Sequence, residues 1–238
     1  MRAVLHLLLL CTPLTSSLAV VADGRRVTIL KDDAAVALHI AARVEALANA
    51  ALTEKGTFAM SIGSGTTVAP LKLLAGDVDF SRVHLFFGNE RTEGDAAGKC
   101  FHGAAEFISA CGVPKTQVHR VPSGPAESSA EAYEVLLREM SVAGVLGTCE
   151  RSGLPSLDLV LLGSGADGHC ASLYPDSGQV LRVGDGHLVV PADGKGGVTL
   201  SLDTIRSARN VILSAAKPSQ ASMVRKAISW SNADSNTK

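Results

Sequence analysis

The sequence has no charge imbalance: 22 Lys and Arg oppose 23 Asp and Glu, for a formal net charge of −1. That excludes the broad basic surface a nucleic-acid or anionic-membrane partner requires, so an anionic ligand must be caught by a few local groups. Beyond the first twenty-odd residues, no apolar run reaches the roughly 18 residues a membrane helix needs. Cysteine is scarce, and Cys100, Cys111, Cys149 and Cys170 show none of the two-residue spacings of zinc or redox motifs. With Cys11 in the N-terminal apolar run, five cysteines in 238 residues are no disulfide scaffold either, and the four later ones read as free thiols. The seven histidines are scattered without metal-ligand spacing, so no metal is expected. No repeat and no Pro- or Ser-rich linker divides the chain. Apolar residues at 46% against 19% charged give the balance of a globular domain with a sizeable core.

The first residues differ from the rest. Arg2 gives a positive start, Val4 to Cys11 form a short apolar run interrupted at His6, and Ser17 and Ala19, or Val20 and Ala22, are small residues at peptidase spacing. Residues 1–22 therefore read as a signal or targeting peptide, with 23–238 as one domain expected to have no membrane contact after processing. Free thiols sit awkwardly with secretion. The reading that reconciles the two is a leader feeding an organelle, such as a plastid, through the secretory route. The alternative is a cytoplasmic chain in which the apolar run is a buried N-terminal strand.

From there strand and helix patterns alternate. Val27 to Leu30 is β-prone, Asp32 and Asp33 are N-cap candidates, and Val36, Ile40, Val44, Leu47 and Ala51 recur at helical steps up to Glu54, with Lys55 and Gly56 closing the segment. Thr57 to Ser61 reads as strand, Val68 to Ala75 as helix, and Val83 to Phe87 as strand. Helical stretches follow over Lys99 to Ala110 and Ala126 to Leu146, separated by an extended piece at Val118 to Val121. Leu157 to Leu162 is an almost wholly apolar strand. Val198 to Leu202 and Val211 to Leu213 are later strands around a helical turn at Thr204 to Ala208, and a helix from Pro218 to Trp230 ends the chain. This order predicts a doubly wound α/β fold, a mainly parallel sheet with helices on both faces. Ligands then belong at the carboxyl ends of the strands, which singles out Ile62 to Thr67, Gly88 to Thr92 and Gly163 to Ser172.

The third of these loops carries the strongest motif: Gly163-Ser164-Gly165-Ala166-Asp167-Gly168-His169-Cys170-Ala171-Ser172-Leu173-Tyr174-Pro175. Gly163, Gly165 and Gly168 let backbone approach a ligand and present amides to an oxyanion. His169 has the side chain suited to a general base at neutral pH, and Asp167 is placed to fix the loop or orient the imidazole. Ser172 invites a serine-nucleophile reading, but Gly163-Ser164-Gly165 fails the spacing of a nucleophile elbow. In the first loop, Gly63, Ser64, Gly65 and Thr66 combine amides at a helix start with hydroxyls, a composition competent to hold a phosphate. In the second, Arg91 offers a fork of donors next to Glu90.

The long motif resembles the signature of the 6-phosphogluconolactonase family, Gly-x-Gly-x-Asp-Gly-His-x-Ala-Ser-Leu-(Phe/Tyr)-Pro, at every fixed position. The related glucosamine-6-phosphate deaminases share Asp-Gly-His but continue Ile-Ala-Phe-Asn-Glu, where this chain reads Cys170-Ala171-Ser172-Leu173-Tyr174. Glu90 and Arg91 match the family's Asp-Glu-Arg, with Asn89 in place of its Asp. Ala208-Arg209-Asn210-Val211 followed by Lys217 resembles its last strand and phosphate-binding lysine. The family's Arg near Thr199-Leu200 is absent, since Gly196 and Gly197 precede Val198. The resemblance implies a cofactor-free hydrolase acting on a sugar-phosphate lactone, 6-phosphogluconolactone, in the oxidative pentose phosphate pathway. In it His169 activates water, and Gly63, Ser64, Gly65, Thr66, Arg91 and Lys217 hold the phosphate with support from Glu90. A deaminase-like isomerase and a catalytically silent sugar-phosphate-binding protein are the alternatives.

Overall fold

Helix α1 (Asp33–Lys55) forms where the helical steps predict it. Asp32 caps it, its Oδ1 accepting from the Ala35 N–H at 2.8 Å, and Gly56 ends it at a φ of 82°, a conformation that costs glycine little. By length and composition α1 would suit a bilayer, but Val36, Ile40, Val44, Ala48 and Leu52 are buried against the rest of the core. It is an amphipathic core helix.

The computed structural model describes residues 4–10, 18–22, 25–181, 183–192, 194 and 196–233. In chain order its strands are β1 (Val4–Leu10), β2 (Leu18–Ala22), β3 (Arg25–Leu30), β4 (Phe58–Ile62), β5 (Val83–Phe87), β6 (Asn89–Arg91), β7 (Gly147–Thr148), β8 (Pro155–Ser156), β9 (Leu159–Gly163), β10 (Val189–Pro191), β11 (Gly197–Leu200) and β12 (Asn210–Ala215). Seven form one sheet in the order β2-β3-β1-β12-β9-β4-β5, parallel throughout except for β2 at its edge. Every residue of β4 is buried, as are Leu159 to Leu162 of β9, which is why these strands read as continuous apolar runs rather than alternating ones.

The chain leaves β4 toward β5 on one side and β9 toward β12 on the other, while β4 and β9 are hydrogen-bonded neighbours. Their carboxyl ends are therefore where the winding reverses and a crevice opens. A doubly wound α/β architecture is what the order of elements predicted.

Several boundaries differ from expectation. Residues after Gly65 form short 3-10 turns (Gly65–Thr67 and Ala69–Leu74) instead of an α-helix, with Pro70 unable to donate within the first turn. The expected helix from Lys99 to Ala110 is interrupted at Ala104, giving α2 (Lys99–Gly103) and α3 (Ala105–Ala110). Helix α4 (Ala126–Val142) stops before Gly144, whose φ is 74°. The strand expected from Val198 lies outside the main sheet: β11 pairs antiparallel with β10 and β6 in a small second sheet. The Leu200 N–H donates to the Gly88 carbonyl at 2.8 Å, stitching that sheet to the end of β5.

Of the segment expected as a leader, residues 1–3 and 11–17 lie outside the described residues. Val4–Leu10 runs as a strand between β3 and β12, pairing with both in parallel, and Leu18–Ala22 forms the antiparallel edge.

Candidate active site

The loop after β9 is shaped around one side-chain pair. His169 Nδ1 lies 2.6 Å from Asp167 Oδ1, and the His169 N–H donates to the same oxygen at 3.2 Å. The hydrogen bond from the imidazole is the chief cause that holds the Asp167 carboxyl below its ordinary value. A carboxylate acceptor at Nδ1 puts the ring proton there and leaves the Nε2 lone pair outward, the tautomer a general base needs. The ring also lies against Tyr174, centroids 4.7 Å apart.

Gly165 makes this pairing possible. A Cβ there would sit 2.2 Å from His169 Nδ1 and 2.3 Å from Asp167 Oδ1. Gly168 is required for a different reason, its φ of 95°. The amides of these two glycines, expected to face a ligand, are used inside the loop. Gly165 N–H donates to the His169 carbonyl at 2.8 Å and Gly168 N–H to the Gly165 carbonyl at 3.2 Å. The N–H groups of Ala166 and Ala171 have no acceptor among the described residues, and Ala171 is held at a φ of 53°. Gly163 marks the close approach of two loops, since its Cβ would lie 3.6 Å from Thr67 Oγ1.

At the end of β5 the buried Glu90 carboxylate collects three amides: Arg91 N–H at 3.0 Å, Cys100 N–H at 2.7 Å and Phe101 N–H at 2.8 Å. It caps α2 and fixes β6 in one stroke, a supporting role. Asn89 points back into the crevice, its Nδ2 donating to Ser172 Oγ at 3.0 Å and its Oδ1 close to Gly63. Ser172 is thereby tied to Asn89 and, through its N–H, to Thr199 Oγ1 at 3.3 Å, rather than to His169. Among the described residues no hydrogen bond joins Ser172 to His169, as the serine-nucleophile reading would need. Burial first, and Glu90 second, push the Cys100 thiol up to about 12, so it stays protonated.

Arg91 is placed on β6 by its pairing with Gly197, whose Cβ would fall 2.2 Å from the Glu90 carbonyl. The glycine standing where an arginine was sought is thus forced by strand packing. Lys217, exposed just beyond β12, is held by its backbone: its N–H donates to Gln220 Oε1 at 2.7 Å, and Gln220 Nε2 in turn reaches the Ser164 carbonyl and, at 3.2 Å, Ser164 Oγ. Gly63, Ser64, Gly65 and Thr66 follow β4, with Gly65 at a φ of 80°.

The Gly63 to Thr66 turn, the Gly163 to His169 loop and Lys217 thus follow the carboxyl ends of β4, β9 and β12 in the main sheet, while Glu90 and Arg91 stand on β6 in the small second sheet just beyond β5. Sequence reasoning missed Gln220, Tyr174 and the Asn89–Ser172 pair. Tyr174 stood inside the motif, and its nearness to His169 was the available signal.

Against known proteins, residues 31–237 match the family model described as glucosamine-6-phosphate isomerases/6-phosphogluconolactonase. The chain belongs to this family. Among curated members it is 30% identical over 229 residues to the 6-phosphogluconolactonase of Mycobacterium bovis, covering 90% of this chain and 83% of that one. It is 28% identical over 166 residues to 6-phosphogluconolactonase 3, chloroplastic, of Arabidopsis thaliana, covering 66% and 50%. The plant relatives are longer, and the chain spans 42% of a rice chloroplastic one. Solved 6-phosphogluconolactonases from Shewanella baltica and Thermotoga maritima each superpose with a TM-score of 0.66 at 21% identity, the latter over 94% of this chain and 90% of its own. At that identity the likeness shows the shared family fold.

Proposed function

We propose that this family member is a 6-phosphogluconolactonase, a carboxylic ester hydrolase opening the ring of 6-phosphoglucono-1,5-lactone to 6-phosphogluconate in the oxidative pentose phosphate pathway. The observation that carries the reading is the Asp167–His169 pair at 2.6 Å, set in a lactonase-type motif at the point where the winding reverses. His169 Nε2 takes a proton from water as the oxygen attacks the lactone carbonyl, and Asp167 fixes the tautomer and steadies the imidazolium that forms. The unpaired N–H groups of Ala166 and Ala171 are the loop's donors for the tetrahedral oxyanion. The phosphate is held by the Gly63 to Thr66 turn, Arg91 and Lys217, away from the carbonyl. Neither a metal nor a covalent nucleophile is needed for so reactive an ester.

Hydrolysis of freshly generated 6-phosphogluconolactone, followed by proton release and compared with turnover of glucosamine 6-phosphate, tests the assignment. Activity on the amino sugar alone points to the isomerase reading; binding of 6-phosphogluconate without turnover of either points to a silent binding protein. In an active protein, His169→Asn should lower kcat by about 10²–10⁴ with binding of 6-phosphogluconate retained.

For the N-terminal segment the proposal is a targeting leader, supported by the chloroplastic relatives and by its charge and small-residue pattern. Its removal takes β1 and the edge strand β2 out of the sheet; because β3 and β12 both run parallel to β1, β3 can close the gap by pairing with β12. Mass spectrometry of the native N-terminus decides, and an intact Met1 in the mature protein returns the chain to the cytoplasm.

A further inference from the structure

Gln220 is buried, 5% exposed, and both ends of its amide are used. Its Oε1 accepts from the Lys217 N–H at 2.7 Å, while its Nε2 donates to the Ser164 carbonyl and reaches Ser164 Oγ at 3.2 Å. Only one orientation of the amide fits, because the flipped group would set two acceptors against each other at Ser164 and two donors at Lys217. The turn that opens with Lys217 is thereby clamped to the first residue after β9.

The gripped carbonyl belongs to the same planar peptide unit as the Gly165 N–H, which donates to the His169 carbonyl at 2.8 Å. Three hydrogen bonds in series therefore run from the Lys217 backbone, through the Gln220 amide and one rigid peptide, to the backbone of His169. A second contact backs them. A Cβ on Gly168 would lie 3.3 Å from Met223 Cγ, so the helix that follows Gln220 (Ala221–Ala233) packs against the same loop. The loop's own shape does not depend on Gln220: Ser164 donates to the Ser214 carbonyl through both its N–H and its Oγ, each at 3.1 Å, and the Asp167–His169 pair closes the loop from within. What Gln220 adds is register between Lys217 and the base.

We infer that Gln220 is a positioning residue, which fixes the separation of Lys217 from the His169 loop so that a lactone held by its phosphate at one end is presented to the base at the other. The inference rests on the lactonase reading and adds to it a determinant of the preference for phosphorylated over unphosphorylated lactones. A remote phosphate contact helps the reaction only so far as it also aligns the reacting ring, and alignment needs a fixed frame between the two sites.

The test is a double-mutant cycle on the full chain, Gln220→Met with Lys217→Ala. Methionine matches glutamine in length and removes both hydrogen bonds. With Lys217 in place, Gln220→Met should lower the ratio of kcat/KM for 6-phosphogluconolactone to that for gluconolactone about tenfold; in Lys217→Ala it should change that ratio less than about twofold. An equal loss on both lactones, or the same change in both backgrounds, is what a merely structural residue gives and overturns the inference. Calorimetric binding of 6-phosphogluconate repeats the cycle without turnover: Gln220→Met should weaken it about threefold or more with Lys217 present and less than about twofold in Lys217→Ala. If the wild type opens neither lactone, the lactonase reading falls and the binding cycle decides the tether. Equal weakening in both backgrounds, or no binding by the wild type, overturns it. Gln220→Glu keeps the acceptor for the Lys217 N–H but turns an oxygen on the Ser164 carbonyl, and carries the same expectations should Gln220→Met fail to fold.

Discussion

Replacing Gly165 with alanine tests the base assignment without touching a titratable group. The backbone φ at Gly165 lies outside the left-handed region, so alanine meets no backbone strain there. What it meets is the dyad: its Cβ would stand 2.2 Å from His169 Nδ1, 2.3 Å from His169 Cε1 and 2.3 Å from Asp167 Oδ1, against the roughly 3.5–4 Å at which nonbonded heavy atoms rest. Something must give by more than about 1 Å. The cheapest response is rotation of the imidazole, which breaks the 2.6 Å bond to Asp167 and releases both the tautomer and the direction of Nε2. A misplacement of that size, together with loss of a positioned base, should lower kcat on 6-phosphogluconolactone by about 10²-fold or more. Because the loop is partly exposed and the clash falls on side chains, urea unfolding should shift by less than about 1 kcal/mol. Stopped-flow proton release gives kcat and KM, and urea titration gives stability. Retention of more than a tenth of kcat would refute the claim that this pair performs the chemistry.

Arg91→Ala and Lys217→Ala should each raise KM about tenfold or more with kcat less affected, while kcat/KM for unphosphorylated gluconolactone stays put; equal losses on both lactones would remove them from the phosphate site. Glu90→Ala leaves the amides of Arg91, Cys100 and Phe101 without their buried acceptor and should cost about 2–4 kcal/mol in urea unfolding, with Glu90→Gln recovering part of it. His119, within 3.0 Å of His84, is pushed down to about 4 by burial first and His84 second. Its folded value lies below the ordinary 6.5, so its contribution is complete above that pH and is lost as pH falls toward 4, up to about 3 kcal/mol. His119→Gln should flatten stability over that window, and an unchanged pH slope would contradict it.

How far the sequence could be read follows from the range of each interaction. Helix α1 was legible from cap to cap because Asp32, the apolar steps and Gly56 act within a few residues of one another. β4 and β9 were legible because burial on both faces leaves a continuous apolar run. The small sheet was not: β6 and β10 are three residues each, too short for any period, and exist only because β11 reaches them from far along the chain. Glu90 was expected to support the site, but its place as a buried cap was not legible, since its three amides come partly from residues ten and eleven positions later. In the His169 loop, glycine content signalled a close approach correctly but not its object. The space at Gly165 is taken by the protein's own dyad.

While the N-terminal segment is still attached, the position of β1 also dictates when the seven-stranded sheet can be completed. Its partner β12 is translated roughly two hundred residues later, so the two edges that must meet are separated by nearly the entire chain. Until Asn210–Ala215 emerges, one edge of Val4–Leu10 lacks its neighbour and offers unpaired amides and carbonyls along an apolar stretch. Such a chain stays open through most of its synthesis. That is the state in which an N-terminal segment remains available to cellular machinery that handles unfolded polypeptides, and in which a holdase would have most to protect.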